Sequence, residues 1–224
     1  MSLKCLNKSK IMKIVVYTLP YAVANEADKI NQLFDAGLKE LHIRKPGFSK
    51  DDLYSLLSGI HPSYHPNIVL HQQYGLIKHF KIKGLHFRPN YFKGVSGLFR
   101  KVLYARNSRF QLSTAVNDIK NVDDINPVFD RVFVGPMYKK LSEQNALTNF
   151  DAFEVKNAVS NTTKSIYAYG GIDYKNQERI KSLGFKGIVL QASVWKSGDV
   201  VNAFRAFLIH QTELEMVDRV FQIV

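Results

Sequence analysis

The chain has 224 residues, of which 46% are hydrophobic, and this is enough to bury the core of one domain of ordinary size. Lysine and arginine number 31 against 19 acidic residues, a formal net charge of +12. No basic run is longer than two residues, so a solvated basic surface explains the charge better than nucleic-acid binding does. The single cysteine, Cys5, excludes an intramolecular disulfide, and no segment approaches the roughly twenty apolar residues of a membrane span.

The N-terminal residues 1–11 are polar, and we expect a leader that is disordered or partly of non-native origin. The apolar run that follows is interrupted by Lys13 and Pro20, which makes it too short and too polar for an export signal. We therefore interpret it as the first strand and expect a cytoplasmic protein.

Eight short apolar runs alternate with amphipathic stretches of helix length. The predicted strands are Lys13–Leu19, Glu40–Arg44, Asn67–His71, Gly84–Phe87, Arg109–Ser113, Arg131–Gly135, Ser165–Gly170 and Gly187–Gln191. The predicted helices are Asn25–Ala36, Lys50–Ile60, Asn149–Val159, Tyr174–Leu183 and Asp199–Ile209. This alternation predicts an α/β protein with a single (β/α)8 TIM barrel over residues 12–209, followed by a C-terminal helical tail over 210–224. A doubly wound open sheet is the alternative.

The second and fourth predicted strands end in nearly the same way. One reads Leu-His-Ile-Arg-Lys-Pro over 41–46, and the other reads Leu-His-Phe-Arg-Pro over 85–89. Because side chains alternate along a strand, His42 and Arg44 share one face, as do His86 and Arg88. If that face is the barrel interior, both strands point cations at a ligand, and the simplest ligand is phosphate or diphosphate.

The third and fifth predicted strands end at His71, followed by Gln72, and at Ser113. Seven histidines raise the question of a metal site. No carboxylate or cysteine stands near His71 or His86 in the sequence, and there is no paired-histidine helix motif, so we do not expect zinc. We expect His42 and His86 to be partly buried donors inside the barrel.

The seventh and eighth predicted strands end where barrels often hold phosphate. The seventh ends at Gly170 and Gly171, which allow a sharp turn and bring bare amides close to an anion. The eighth ends at Gln191 and Ala192, whose amides can open a short helix. A polar loop over 139–149 follows strand six and is either a substrate cover or an ordinary surface loop.

Taken together, these motifs resemble the thiamine phosphate synthase/TenI family over residues 12 to about 207. The segment 41–46 resembles the motif at the end of that family's second strand, and Gly84-Leu-His resembles its fourth strand. Gly135-Pro-Met-Tyr resembles the motif before the thiazole-binding loop, and the ends of strands seven and eight resemble the phosphate cradle.

The resemblance implies a synthase that joins hydroxymethylpyrimidine diphosphate to thiazole phosphate and releases diphosphate, with Mg²⁺ on the diphosphate. Diphosphate leaves first, and the thiazole nitrogen traps the pyrimidine cation. The resemblance implies catalytic roles for Arg44 and Lys45. It also implies two sets of binding residues. The pyrimidine diphosphate would contact His42, Arg44, His71, His86 and Ser113, and the thiazole phosphate would contact Lys140, Leu141, Ser142, Gly171, Gln191 and Ala192.

The sequence departs from the family pattern where Mg²⁺ is bound. The asparagine–aspartate pair after strand three is replaced by His71 and Gln72, and the second aspartate falls near Tyr91. The motif lysine is Pro46, and the loop lysine after strand six is Glu143. The histidine that TenI-like tautomerases carry after strand five is Ala115. Gln72 is neutral and would bind Mg²⁺ only weakly.

Three other functions stay open beside the synthase. A TenI-like barrel could bind the phosphate without synthase activity, because the metal-binding carboxylates are missing. A sugar-phosphate isomerase or aldolase would use the same fold, although no lysine is clearly placed for a Schiff base. Nucleic-acid binding ranks last. We expect phosphorylated small molecules as partners, no nucleic acid and no membrane, and we consider a homodimer because such barrels often pair.

Overall fold

The computed structural model describes residues 12–91, 110–139 and 150–221. Eight parallel strands close into one barrel in sequence order, with the eighth paired to the first. The strands are β1 (Lys13–Tyr17), β2 (Leu41–Ile43), β3 (Ile68–Leu70), β4 (Gly84–Phe87), β5 (Gln111–Val116), β6 (Arg131–Val134), β7 (Ser165–Ala168) and β8 (Gly187–Leu190). The predicted (β/α)8 barrel is confirmed.

Helices connect most of the strands in the described ranges. They are α1 (Glu26–Asp35), α2 (Lys50–Gly59), α3 (Ala152–Asn161), α4 (Gln177–Ser182), α5 (Ala192–Trp195) and α6 (Val200–Phe221). Short 3₁₀ helices, Tyr74–Lys78 and Ile119–Val122, follow β3 and β5. The helix predicted to end at Ile209 continues to Phe221, so one helix spans the predicted boundary between barrel and tail. In the part of the chain that the structure describes, no helix has the length and apolar content that crossing a bilayer requires.

Strand β5 differs from its predicted bounds of Arg109–Ser113, because it runs on to Val116. Ser113 is the last residue of the predicted strand. In the structure the hydroxyls of Ser113 and Thr114 both have partners on β4. Thr114 donates to the carbonyl of Phe87 at 2.9 Å, and Ser113 Oγ lies 3.0 Å from His86 Nδ1. Polar side chains with such partners fit inside a sheet.

The alternation of side chains along the strands separates two buried layers. Leu41 and Ile43 of β2 are fully buried in the core between the barrel and its helices. His42, between them, is also fully buried, but its ring stacks on Tyr17 of β1 inside the barrel. The inward positions of several strands form a separate small cluster, which contains Val15, Tyr17, Phe133, Tyr167 and Val189. The interior of the barrel is therefore packed with side chains, and the layer near the carboxyl ends of the strands is rich in aromatic and imidazole rings.

Candidate functional site

Arg44 stands at the carboxyl end of β2, at the mouth of the barrel, and its side chain is exposed. Thr18 fixes the backbone at this point, because its Oγ1 accepts from the Arg44 amide at 3.0 Å. The guanidinium is close enough to His71, His86 and Tyr169 to affect their pKa values. Arg44 thus places a positive charge at the mouth of the barrel, and its role as a diphosphate ligand stays a prediction.

Lys45 points elsewhere and is fully buried. Its Nζ lies 2.7 Å from Glu26 Oε1 at the start of α1, and it donates to the carbonyl of Tyr21. The same ammonium lies 5.2 Å from the centre of the Phe48 ring. Lys45 therefore links the loops after β1 and β2, and the structure does not bring it together with Arg44 as a second mouth cation. Its catalytic assignment stays a prediction.

Three predicted site residues, His42, His71 and His86, come from three adjacent strands and meet inside the barrel. One ring nitrogen from each lies within 4.8 Å of the other two. His42 Nδ1 is 2.9 Å from His71 Nε2, and the rings of His71 and His86 stack with their centres 4.1 Å apart. We call these three residues the histidine cluster.

Neighbouring polar groups fix the orientation of the histidine cluster. His42 Nε2 lies 2.9 Å from Glu40 Oε1, and His86 Nδ1 lies 3.0 Å from Ser113 Oγ. The Tyr74 hydroxyl donates to the carbonyls of both His71 and His86, at 2.9 and 2.8 Å, and ties the ends of β3 and β4 together. Ser113 was predicted to contact diphosphate, but it is buried and supports His86.

Burial lowers the pKa of all three imidazoles. For His42 it outweighs the raising effect of the hydrogen bond with Glu40 on the pKa. For His71 and His86, the other histidines and the Arg44 charge lower the pKa further. The histidine cluster is therefore neutral at physiological pH, so it supplies lone pairs and N–H donors and does not supply positive charge. Arg44 is an exposed cation at this end of the barrel, and so is Arg88 after β4.

A cavity of about 210 Å³ lies at the carboxyl ends of β7, β8 and β1. The residues that line it are Tyr17, Lys139, Tyr169, Gly170, Gly171, Ile172, Val189, Gln191 and Ala192. Three predicted phosphate-binding residues, Gly171, Gln191 and Ala192, are thus brought together. The buried Tyr17 hydroxyl has no hydrogen-bond partner among the described residues, and burial raises the pKa of Tyr17 well above its ordinary value. Tyr17 is therefore a neutral donor for a ligand at any physiological pH.

The turn after β7 brings its backbone close to the backbone of the loop after β6. Gly170 and Gly171 have φ values of +90° and +67°, which glycine adopts without strain. The amides of Met137 and Tyr138 donate to the carbonyls of Tyr169 and Gly170, at 2.8 and 3.2 Å. This turn therefore holds the loops after β6 and β7 against each other beside the cavity.

We expect Gly170→Ala to lower the free energy of unfolding by roughly 1–3 kcal/mol, because φ is positive and the new methyl would clash. Its Cβ would lie 2.5 Å from Pro136 Cβ. Chemical denaturation measures the change. Gly198→Ala is the matched control, since a Cβ there meets nothing within 4 Å. Equal stability of the two variants would contradict the assigned role of the turn.

The remaining predicted thiazole-phosphate residues, Lys140, Leu141 and Ser142, lie outside the described residues. Gln191 lines the cavity, and its side chain donates to the Thr18 carbonyl at 2.8 Å. The Nε2 of Gln72, next to His71, is buried and has no hydrogen-bond partner among the described residues.

The donors in the described residues do not fit the Mg²⁺ that the resemblance implies. Mg²⁺ prefers carboxylate and phosphate oxygens. The described residues form one group of three or more side chains that could hold a metal, and it consists of imidazoles alone. Asp173, after β7, is turned to its own loop, where it accepts from the Lys175 amide at 2.9 Å. No step in the proposed chemistry is therefore routed through Mg²⁺.

Sequence reasoning did not single out two important residues, Tyr17 and Glu40. Both stand at inward positions of predicted strands, and Glu40 lies two residues before His42, on the same face. Applying the two-residue alternation of side chains to every position of these two predicted strands identifies both residues as inward-facing. Glu40 also bonds Arg131 and Lys83 inside the barrel, so its partners are distant in the sequence.

Comparison with known proteins supports the family resemblance at the level of structure. Neither a scan against protein-family models nor a search of curated proteins found a match. The fold is similar to that of a thiamine phosphate pyrophosphorylase from Bacteroides thetaiotaomicron, with 27% identity and a TM-score of 0.71, over 91% of this chain and 99% of that chain.

Two other solved structures show the fold alone. A thiamine phosphate pyrophosphorylase from Pyrococcus furiosus has 14% identity and a TM-score of 0.71, over 92% of this chain and 98% of that one. A phosphoribosyl anthranilate isomerase from Thermus thermophilus has 12% identity and a TM-score of 0.59, over 91% and 100%. Barrels with other names therefore share this architecture, and the residues of the site must carry the functional argument.

Proposed function

We propose that the chain is a thiamine phosphate synthase-like transferase. It joins hydroxymethylpyrimidine diphosphate to thiazole phosphate and releases diphosphate. The structural likeness to a thiamine phosphate pyrophosphorylase at 27% identity, over nearly the full length of both chains, supports this reaction over others on the same fold.

One observation carries the proposal: a glycine-lined cavity and an exposed cation, Arg44, share the mouth of one barrel. The cavity contains Gly171 and Ala192, where backbone amides suit the thiazole phosphate. Arg44 is exposed at the end of β2, where it suits the diphosphate. Tyr17 lies between the cavity and β2, because it lines the cavity and its ring also stacks on His42 of β2.

These groups would act by charge stabilisation and positioning. Arg44 neutralises the departing diphosphate, so the carbon–oxygen bond to the pyrimidine methylene breaks more easily. The cradle holds the thiazole so that its nitrogen faces the same carbon. Tyr17 stays protonated and donates a hydrogen bond without adding negative charge beside the two anions.

A second candidate is a TenI-like barrel that binds phosphate without synthase activity. The observation in its favour is the pair His71 and Gln72 at the place of the family's metal-binding pair. These residues offer neutral donors in place of carboxylates, and Arg44 alone provides less charge than a magnesium ion and an arginine together.

A turnover assay with both precursors separates the candidates. We expect thiamine phosphate to form, and we expect the rate to fall when Arg44 is replaced. The assay is run with Mg²⁺ and with a chelator. Product only with Mg²⁺ would mean that the metal ion helps to neutralise diphosphate, and product with the chelator would mean that side chains are sufficient. Absence of product under both conditions, with thiazole phosphate still bound in calorimetry, would overturn the synthase and favour the second candidate.

A further inference from the structure

We infer that His42, His71 and His86 form a binding site for a divalent transition metal ion of the kind that prefers imidazole ligands, with Zn²⁺ as the representative ion. This site goes beyond the proposed function and does not depend on it. A transferase or a phosphate-binding barrel could each carry it.

The first argument is geometric. One ring nitrogen from each histidine lies within 4.8 Å of the other two, and the 2.9 Å hydrogen bond between His42 Nδ1 and His71 Nε2 is the contact that a bound ion would replace. Tetrahedral coordination at about 2.0–2.1 Å places ligand nitrogens about 3.4 Å apart, so side-chain movements of about 1 Å would complete the set. The backbone already holds the three residues next to one another, because β2, β3 and β4 are adjacent. The Tyr74 hydroxyl also donates to the carbonyls of both His71 and His86.

The second argument is the support behind two of the three ligands, His42 and His86. Metal-binding histidines commonly donate their other ring N–H to a carboxylate or another acceptor, which fixes the tautomer and orientation. His42 has such a partner in Glu40, at 2.9 Å from Nε2, which leaves Nδ1 facing the cluster. His86 has one in Ser113, at 3.0 Å from Nδ1, which leaves Nε2 for the metal. Such partners are what an imidazole metal site requires.

The third argument is the surroundings of the rings. His42 is fully buried, and His86 is 9% exposed. The rings of Tyr17 and Phe133 pack against the cluster, with centres 4.7 and 5.1 Å from that of His42. Packing of this kind limits access of water to the metal.

The donor set selects the class of ion. Imidazole suits Zn²⁺, Ni²⁺, Cu²⁺ and Fe²⁺, whereas Mg²⁺ and Ca²⁺ prefer oxygen ligands. Three histidines leave at least one position open, as in catalytic zinc sites. Arg44 is exposed at the end of β2, two residues after His42, so an anionic oxygen in the open position would also meet a cation.

The experiment measures binding of Zn²⁺ and Co²⁺ to the full chain after chelator treatment. We expect one Zn²⁺ per chain by calorimetry, and an intense visible absorption band of Co²⁺ in low-coordinate nitrogen ligation. His71→Gln and His86→Gln each remove one ligand and keep a polar side chain of similar reach. Each should weaken Zn²⁺ binding by at least about 10- to 100-fold.

Exposed His79 supplies the matched control, because His79→Gln removes a surface imidazole of the 3₁₀ segment after β3. This variant should bind Zn²⁺ like the parent chain. Thermal unfolding checks that each variant is folded, and Zn²⁺ should raise the Tm of the parent and of His79→Gln, and raise that of the two cluster variants much less. Absence of Zn²⁺ binding to the parent, or binding unchanged in both cluster variants, would overturn the site. The proposed transferase activity is scored in a separate assay and stands or falls independently.

Discussion

Replacing Arg44 by alanine is expected to weaken binding of inorganic diphosphate by about 10- to 100-fold, which matches the loss of one or more charge-assisted hydrogen bonds worth about 1.5–3 kcal/mol. The side chain is exposed at the barrel mouth, so the loss reflects a missing contact with the ligand. The neutral histidine cluster beside it cannot replace the lost charge. Isothermal titration calorimetry measures the change directly.

The control for this experiment is Arg205→Ala, which removes the same charge from an exposed position on α6. Diphosphate binding should be nearly unchanged in that variant, since the screened long-range effect of one surface charge is small. Arg44→Lys should recover part of the affinity, because it restores the charge without the planar pair of donors. If Arg44→Ala and Arg205→Ala bind diphosphate equally well, Arg44 is not the diphosphate ligand.

Much of the fold could be predicted from the sequence because it depends on local patterns. The two-residue alternation of β2 places Leu41 and His42 on opposite faces, and this single fact separates the outer core from the barrel interior. The glycine pair after β7 has few uses other than a tight turn with positive φ. Those predictions needed no knowledge of distant neighbours.

The composition of the site could not be predicted in the same way, because it depends on which inward residues share a level in the closed barrel. His71 and His86 are 15 positions apart in the sequence and have no carboxylate or cysteine beside them. Strand pairing places those two rings 4.1 Å apart. Lys45 shows the same limit, since its position next to Arg44 in the sequence gives no indication that its side chain pairs with Glu26 on α1.

The bounds of β5 illustrate a third limit. The sequence does not indicate that the hydroxyls of Ser113 and Thr114 will both find partners. In the barrel, Ser113 meets His86 and Thr114 meets the Phe87 carbonyl, so the strand continues to Val116. Polar residues belong in a strand when the neighbouring strand satisfies them, and only the pairing register reveals that.

Glu40 lies inside the barrel, where three side chains converge on its carboxylate. Its carboxylate contacts the guanidinium of Arg131, lies 2.6 Å from Lys83 Nζ, and accepts from His42. Glu40 and Arg131 are both buried, at 4% and 6% exposure. Removing one partner of such a group leaves the other charges buried without compensation.

We therefore expect Glu40→Gln to lower the free energy of unfolding by about 3–5 kcal/mol at neutral pH, the range for breaking a buried ion pair. Urea denaturation followed by circular dichroism measures it. Glu154→Gln is the matched control, because Glu154 forms an exposed pair with Lys120 at 3.3 Å, and pairs of that kind add little. Similar losses in the two variants would contradict the central role of Glu40.

The pH dependence gives an independent check on the same carboxylate. Burial alone would raise the pKa of Glu40, but the hydrogen bond from His42 and the charges of Arg131 and Lys83 outweigh it and lower the pKa well below the ordinary value of 4.5. A group with a lowered folded-state pKa contributes stability that is fully present above its unfolded-state pKa and is lost as the pH falls through the folded-state pKa. The stability difference between the parent chain and Glu40→Gln should therefore be constant from pH 7 to about pH 5 and shrink at lower pH. A difference that grows as the pH falls would mean that the Glu40 carboxylate is not the charge that Arg131 and Lys83 require.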